Sequence, residues 1–272
     1  MYDKAHKGFR QINNRLKDRN LILNVEKTVF MPFSIKKNDI NYNNITIHDC
    51  DINKICNSQN CKSIKKVEKI RYLGIIFDKN LRWNLHINNL LGKLRFITYK
   101  LVKIKCMVPK QTLRTIYYAL YQSNFQYGIL IWGGLKDNIL NALTINQNNI
   151  IRICLNKCSV TGSTKVNYME FGVLPVRYLY KKIVIMHLLK HVRRDNHYNK
   201  LDKKREFRNY DFPVIYTNKS FGQSFVDYLG PTIFNSMPYE FKKNVILGDT
   251  INIKYVVYKF LFSELEKNAL CM

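Results

Sequence analysis

Apolar residues recur along this chain at two different spacings, and the change falls near residue 83. In residues 4–20, Phe9, Ile12 and Leu16 return at helical intervals among Lys, Arg, Asn and Gln, which predicts a basic amphipathic helix. Leu21-Ile22-Leu23 then leads through Asn24-Val25-Glu26-Lys27-Thr28 into Val29-Phe30-Met31-Pro32-Phe33, the composition of a short strand. Residues 36–66 are polar and rich in Asn, Lys and Ser, and support strands or a hairpin at most, with a loop at 56–64. Ile70 to Phe77 predicts a further strand, closed by the turn residues Asp78-Lys79-Asn80.

Beyond that turn the period becomes helical. Leu90, Leu94, Ile97, Leu101 and Ile104 fall on one narrow stripe of a helix over about 84–105, with Lys93 and Lys100 side by side at its margin. Pro109 suits the first turn of the next helix, which runs through about Tyr121. Tyr127-Gly128-Ile129-Leu130-Ile131-Trp132-Gly133-Gly134 reads as an aromatic, glycine-rich bend. Two longer helices are expected over roughly 136–157 and 175–194, the second almost apolar all round before a basic end at Lys190, Arg193 and Arg194. Gly222, Gly230-Pro231 and Met237-Pro238 mark turns, and Tyr255, Tyr258, Phe262 and Leu265 belong to a final helix over about 251–266. The expected class is α+β, mostly α. Its order is a short-strand region at 1–82, helices at 83–194, a charged and proline-punctuated linker at 195–213, and a small C-terminal segment at 214–272.

The composition supports a folded chain with an acidic partner. The 272 residues are 46% hydrophobic and 13% aromatic, enough for a sizeable core. Lys and Arg number 45 against 19 Asp and Glu, a formal charge of +26. Part of this excess fits A+T-rich coding, which favours Lys, Asn, Ile, Tyr and Phe together. Whatever its origin, such a field draws polyanions, and phosphate contacts gain from counterion release. Seven cysteines at irregular spacing point to a reducing compartment rather than a disulfide scaffold. No apolar run reaches bilayer length, and Met1-Tyr2-Asp3-Lys4 lacks the apolar core of a signal peptide.

Catalytic signatures are sparse. Nucleotidyl transfer needs carboxylates converging on two metal ions, and the chain has no Asp-Asp pair; Asp49-x-Asp51 lies in a polar stretch that reads as a solvated turn. There is no phosphate-binding glycine loop and no G-x-S-x-G elbow. His48, Cys50, Cys56 and Cys61 are spaced too widely for a zinc knuckle. Cys154-x₃-Cys158 and His187-x₃-His191 each have ligand spacing, but uniting them for zinc requires a long loop to fold back.

At Leu21-x-Leu23-Asn24-x-x-Lys27-Thr28 the chain resembles the fourth palm motif of a reverse transcriptase. Ile70-x-Tyr72-Leu73-Gly74-x-x-x-Asp78-x-x-Leu81-x-Trp83-x-x-His86-Ile87 resembles the primer-grip strand and first thumb helix of non-LTR, jockey-like LINE retrotransposon reverse transcriptases. The likeness continues through Pro109-Lys110-x-x-Leu113-x-x-x-Tyr117, Tyr127-Gly128-x-x-x-Trp132-Gly133, Gln147-Asn148 with Ile151-Arg152-Ile153, Gly172-Val173-Leu174-Pro175 with Leu179-Tyr180, and Gly230-Pro231 with Asn235-x-x-Pro238. It spans almost the whole chain, with Arg15 standing where relatives often carry Trp.

The resemblance implies the remnant of a polymerase palm, then a helical thumb bundle, in a polypeptide that begins just after the catalytic Asp-Asp box. The expected function is that of a C-terminal fragment of an RNA-directed DNA polymerase, which binds RNA template and cDNA primer without polymerising alone. The alternatives are a non-catalytic RNA-binding module or an inert relic of a mobile element. Lys27 would lie near the leaving pyrophosphate as a general acid or plain charge stabiliser, or else be an ordinary turn lysine. Tyr72, Leu73 and Gly74 would form the primer grip, with glycine admitting a backbone closely, or else belong to a buried strand with a bulge. Lys93, Lys100 and Lys103 would follow duplex phosphates along the thumb helix, or else line a solvated face. Trp83, Tyr117, Tyr127 and Trp132 have faces suited to bases but read mostly as core aromatics. Two Mg²⁺ ions belong to the intact family enzyme, and no cofactor is expected on this chain. The implied partners are RNA, RNA–DNA duplex and a missing N-terminal polymerase part, with no membrane, at an intracellular site in nucleus or cytoplasm.

Overall fold

The computed structural model describes residues 2–33, 45–47, 62–157, 163–194, 210–247 and 250–270. The chain divides into two compact units, residues 1–86 and 87–272. Among the described residues it is mostly helical with a few short strands, which agrees with an α+β, mostly α class.

The first unit opens with helix α1 (Tyr2–Lys17). It stops short of the expected residue 20 because Asn20 turns left-handed (φ 54°) and Leu21 N–H donates back to the Leu16 carbonyl at 2.8 Å, a closure that ends helices. Strand β3 (Lys62–Lys66) is central, parallel to β1 (Val29–Phe30) and antiparallel to β2 (Ile45–Ile47). Its Ile64 is buried against Phe9, Leu23, Val25 and Phe30, a small core that joins α1 to the sheet.

The single strand expected over 70–77 is instead a hairpin. Strands β4 (Lys69–Tyr72) and β5 (Ile75–Asp78) pair antiparallel, with Tyr72 opposite Ile75. Leu73 (φ 46°) and Gly74 (φ 82°) form the two-residue turn. Left-handed conformation at both positions matches the twist of the flanking strands, and the leucine is the strained member. The chain then turns through Leu81 (φ 52°) and Trp83 (φ 66°) into helix α2 (Asn84–Ile104). Asp78 holds this turn: one carboxylate oxygen accepts from the backbone N–H of Asn80 and Arg82, the other from Trp83, at 3.0–3.1 Å. Trp83 is buried edge-on to Phe77, ring centroids 5.3 Å apart.

In the second unit α2 buries Leu90, Leu94 and Leu101, the stripe read from the 3.6 period. Helix α3 (Lys110–Ile116) runs into a π-turn (Tyr117–Gln122) and a short α4 (Ser123–Gln126), which together aim Leu113, Tyr117, Tyr121 and Phe125 inward. Gly128 (φ 68°) reverses the chain before α5 (Ile129–Trp132). Helix α6 (Asp137–Cys154) follows, then α7 (Thr164–Phe171), which the periodicity did not reveal, and α8 (Val176–Arg194).

The C-terminal helices α9 (Val226–Asn235), α10 (Tyr239–Leu247) and α11 (Thr250–Leu270) belong to this same unit; α9 and α11 pack against α8, and α11 also against α7. Gly230-Pro231, expected as a turn, lies inside α9. Proline removes one helical N–H there, and burial of Gly230, Pro231 and Phe234 offsets that loss. Of the expected linker, residues 195–209 lie outside the described residues. Phe212 is clamped: its N–H donates to the Asn235 side chain at 2.9 Å, and its carbonyl accepts from the same side chain at 2.8 Å. Buried Lys242 donates to Asp211 at 2.7 Å.

A candidate nucleic-acid interface

The outer face of α2 carries the most concentrated positive charge that the sequence singled out. Its sequence holds no Asp or Glu, and Lys93, Arg95, Lys100 and Lys103 are all exposed. The lysines spread with Phe96 and Tyr99, each 60% exposed, over the solvent side of the helix, from about 80° (Lys93) to about 160° (Lys103, Tyr99) round the axis from the buried leucines. Lys100 Nζ sits 4.4 Å from the centre of the Phe96 ring, and Lys103 Nζ 5.4 Å from that of Tyr99. Such contacts hold the ammonium groups over the rings, and an ammonium with three N–H groups keeps donors for a phosphate besides the one that faces the ring. From Lys93 to Lys103 the helix rises about 15 Å, four to five base-pair steps. The arrangement offers charge at intervals for phosphates and two flat surfaces for bases. The aromatics were missed in the sequence; the available signal was that they fall off the apolar stripe and in step with the lysines.

The first unit carries the other sequence-predicted positions. Tyr72 and Leu73 are 61% and 70% exposed at the hairpin tip, so a buried strand does not describe them, and Gly74 completes the turn rather than a bulge. Lys27 is exposed in the turn before β1, where its backbone N–H donates to Asn24 Oδ1 at 3.1 Å. Among the described residues no three His, Cys, Asp or Glu side chains approach closely enough to hold a metal ion. Asp49, Asp51, His48, Cys50, Cys56, Cys61 and Cys158 lie outside those residues.

The downstream motif residues meet in the core of the second unit. Gln147 is fully buried. Its amide donates to Tyr117 Oη at 2.7 Å and to the Leu174 carbonyl at 3.0 Å. Its carbonyl accepts from Tyr168 at 3.0 Å and from the backbone N–H of Val176 at 2.9 Å. Gln147 thus caps the first turn of α8 from α6. Gly172 (φ 71°) ends α7, and its carbonyl accepts from Tyr118 at 2.8 Å and Tyr258 at 3.2 Å. Glu170 bridges Lys110, at 3.1 Å, and Lys157; those two ammonium groups, Lys157 foremost, hold its carboxyl below the usual range. Trp132 and Tyr117 are buried as expected of core aromatics, whereas Tyr127 is exposed. Burial pushes the Tyr117, Tyr121 and Tyr168 phenols well above their ordinary value, and that of Tyr180 up to about 12.

Among curated proteins, the chain is similar to a probable RNA-directed DNA polymerase from transposon X-element of Drosophila melanogaster, 27% identical over 86 residues. The match takes in 30% of this chain and 10% of that relative. It supports a distant relation to reverse transcriptases. No protein-family model and no solved structure matches the chain.

Proposed function

We propose that this chain is the part of a LINE-type retrotransposon reverse transcriptase that follows the catalytic carboxylates, and that it grips RNA template and RNA–DNA duplex rather than carrying out the transfer. The observation that carries the reading is the set of Lys93, Lys100 and Lys103 interleaved with exposed Phe96 and Tyr99 on an acid-free helix. The similarity to a transposon polymerase gives it a family context. In this reading α2 is the thumb helix, and Tyr72, Leu73 and Gly74 at the exposed hairpin tip form the primer grip. Lys27 acts beside carboxylates from elsewhere in a complete polymerase, which would hold the Mg²⁺ ions.

Fluorescence anisotropy of the full chain with a labelled RNA and with an RNA–DNA duplex, titrated over salt, tests this. Affinity should fall steeply with salt and depend little on sequence. Replacing Lys93, Lys100 and Lys103 together by Gln should lower the log–log salt slope by roughly 2–3, at about 0.7–0.9 per lost phosphate contact. Binding that ignores salt, or an unchanged slope in a variant that melts like wild type, refutes it. Primer extension by the purified chain with Mg²⁺ should give no product; robust incorporation would contradict the non-catalytic assignment.

A further inference from the structure

Away from the basic face, α8 carries a pair of imidazoles that the proposed function does not use. His187 and His191 lie one turn apart, with ring centroids 4.4 Å apart and Nε2 atoms 3.1 Å apart. They open onto a cleft of about 320 Å³ whose opposite wall includes Phe212, Pro213, Val226 and Asp227. Side chains four apart on a helix share a face, but their ring nitrogens need not converge. Here they do. With metal–nitrogen bonds of about 2.0–2.1 Å, nitrogens at this separation subtend roughly 100° at a common ion, between the cis angles of octahedral and tetrahedral centres.

We propose that His187 and His191 form an open two-imidazole site for a late first-row divalent ion such as Zn²⁺ or Ni²⁺, with water completing the coordination. The 3.1 Å approach is also that of an N–H···N hydrogen bond between neutral rings. Moving the bridging proton to Nδ1 of the donor ring leaves both Nε2 lone pairs directed at the ion, with no net loss of a proton. Asp227 lines the same cleft and supplies a negative charge opposite the ion, in a chain whose formal charge is +26. A two-ligand site is weaker than a closed structural zinc centre and exchanges its ion readily. Imidazole selects ions of this class over Mg²⁺ or Ca²⁺, which prefer oxygen.

The test is calorimetric titration of the full chain with Ni²⁺, thiols kept reduced. His187→Asn and His191→Asn are compared with His48→Asn, which removes the imidazole two positions before Cys50 in the sequence. His191 is exposed, so its variant should fold as wild type, and thermal melting verifies both. The expected result is saturable binding that each α8 variant weakens about tenfold or more, because the chelate's second ligand is lost, while His48→Asn leaves it unchanged. Wild type that takes up no Ni²⁺ by about 1 mM, a range weaker than any useful chelate, overturns the proposal. So does binding that the α8 variants do not alter.

Discussion

Replacing Gln147 by Leu puts an apolar side chain of roughly similar size in its place and removes all four of its hydrogen bonds, which tests how the second unit is held together. In the native chain the amide joins α6 to Tyr117, to Tyr168 on α7, to the Leu174 carbonyl and to the first N–H of α8. Tyr168 retains Asn148 at 2.7 Å as an acceptor, so three groups lose a buried partner: the Tyr117 hydroxyl, the Leu174 carbonyl and the Val176 N–H. Each buried polar group left unsatisfied costs about 1–3 kcal/mol, so the substitution should cost roughly 3–5 kcal/mol after partial relaxation. Against a typical stability of about 5–15 kcal/mol, that is roughly a fifth or more of the total. For a unit of this size, about 2–4 °C per kcal/mol translates the loss into a drop of roughly 6–20 °C in Tm. Urea unfolding followed by circular dichroism measures it directly. Gln147→Glu is the companion variant: it retains the acceptor for Tyr168 and Val176 but loses the donors to Tyr117 and Leu174. A loss below about 1 kcal/mol for Gln147→Leu, within the range of an ordinary surface change, would refute the claim that this glutamine organises the core.

Changes at other sites separate structural from binding roles. Gly133→Ala should destabilise by about 1–3 kcal/mol or more, since a Cβ there meets the Tyr180 ring and lies 2.5 Å from the Ile129 carbonyl oxygen; a melt equal to wild type would contradict that packing. Phe96→Ala with Tyr99→Ala should leave Tm nearly unchanged but weaken single-stranded RNA binding by about 1–3 kcal/mol per stacked base, read by anisotropy against the duplex as control. Alkaline pH should unfold the protein through its buried phenols. Tyr117, Tyr121, Tyr168 and Tyr180 have raised values in the folded state, so their contribution is intact below the unfolded value near 10 and is lost above it, for Tyr180 up to about 12. Each phenol still protonated in the fold should add up to about 1.4 kcal/mol of lost stability per pH unit in that window. Urea midpoints that stay flat between about pH 9 and 11 would count against it.

Where the chain's own pattern is periodic, it located the elements. The leucine stripe from Leu90 to Leu101 identified α2 and its buried face, because burial on a helix repeats every 3.6 residues whatever the partner. Lys93 and Lys100 at the margin of that stripe were legible for the same reason, as was the prominence of Trp83, Tyr117 and Trp132 as core residues. Sequence also picked out Asp78, Gln147 and Gly172 as motif members, but nothing local said what they do. Asp78 caps a turn with two left-handed residues, Gln147 closes the start of α8 from another helix, and the Gly172 carbonyl receives tyrosines from α11 and the π-turn. Likewise the hairpin at Leu73-Gly74 replaced one strand, Pro231 stayed inside α9, and two histidines converged to 3.1 Å. Hydrophobic spacing is a property of neighbouring residues and survives in one dimension. A hydrogen-bond acceptor or a pair of ring nitrogens acquires its role only when folding brings up a partner or fixes an orientation, which is why the tertiary structure alone assigned these residues their work.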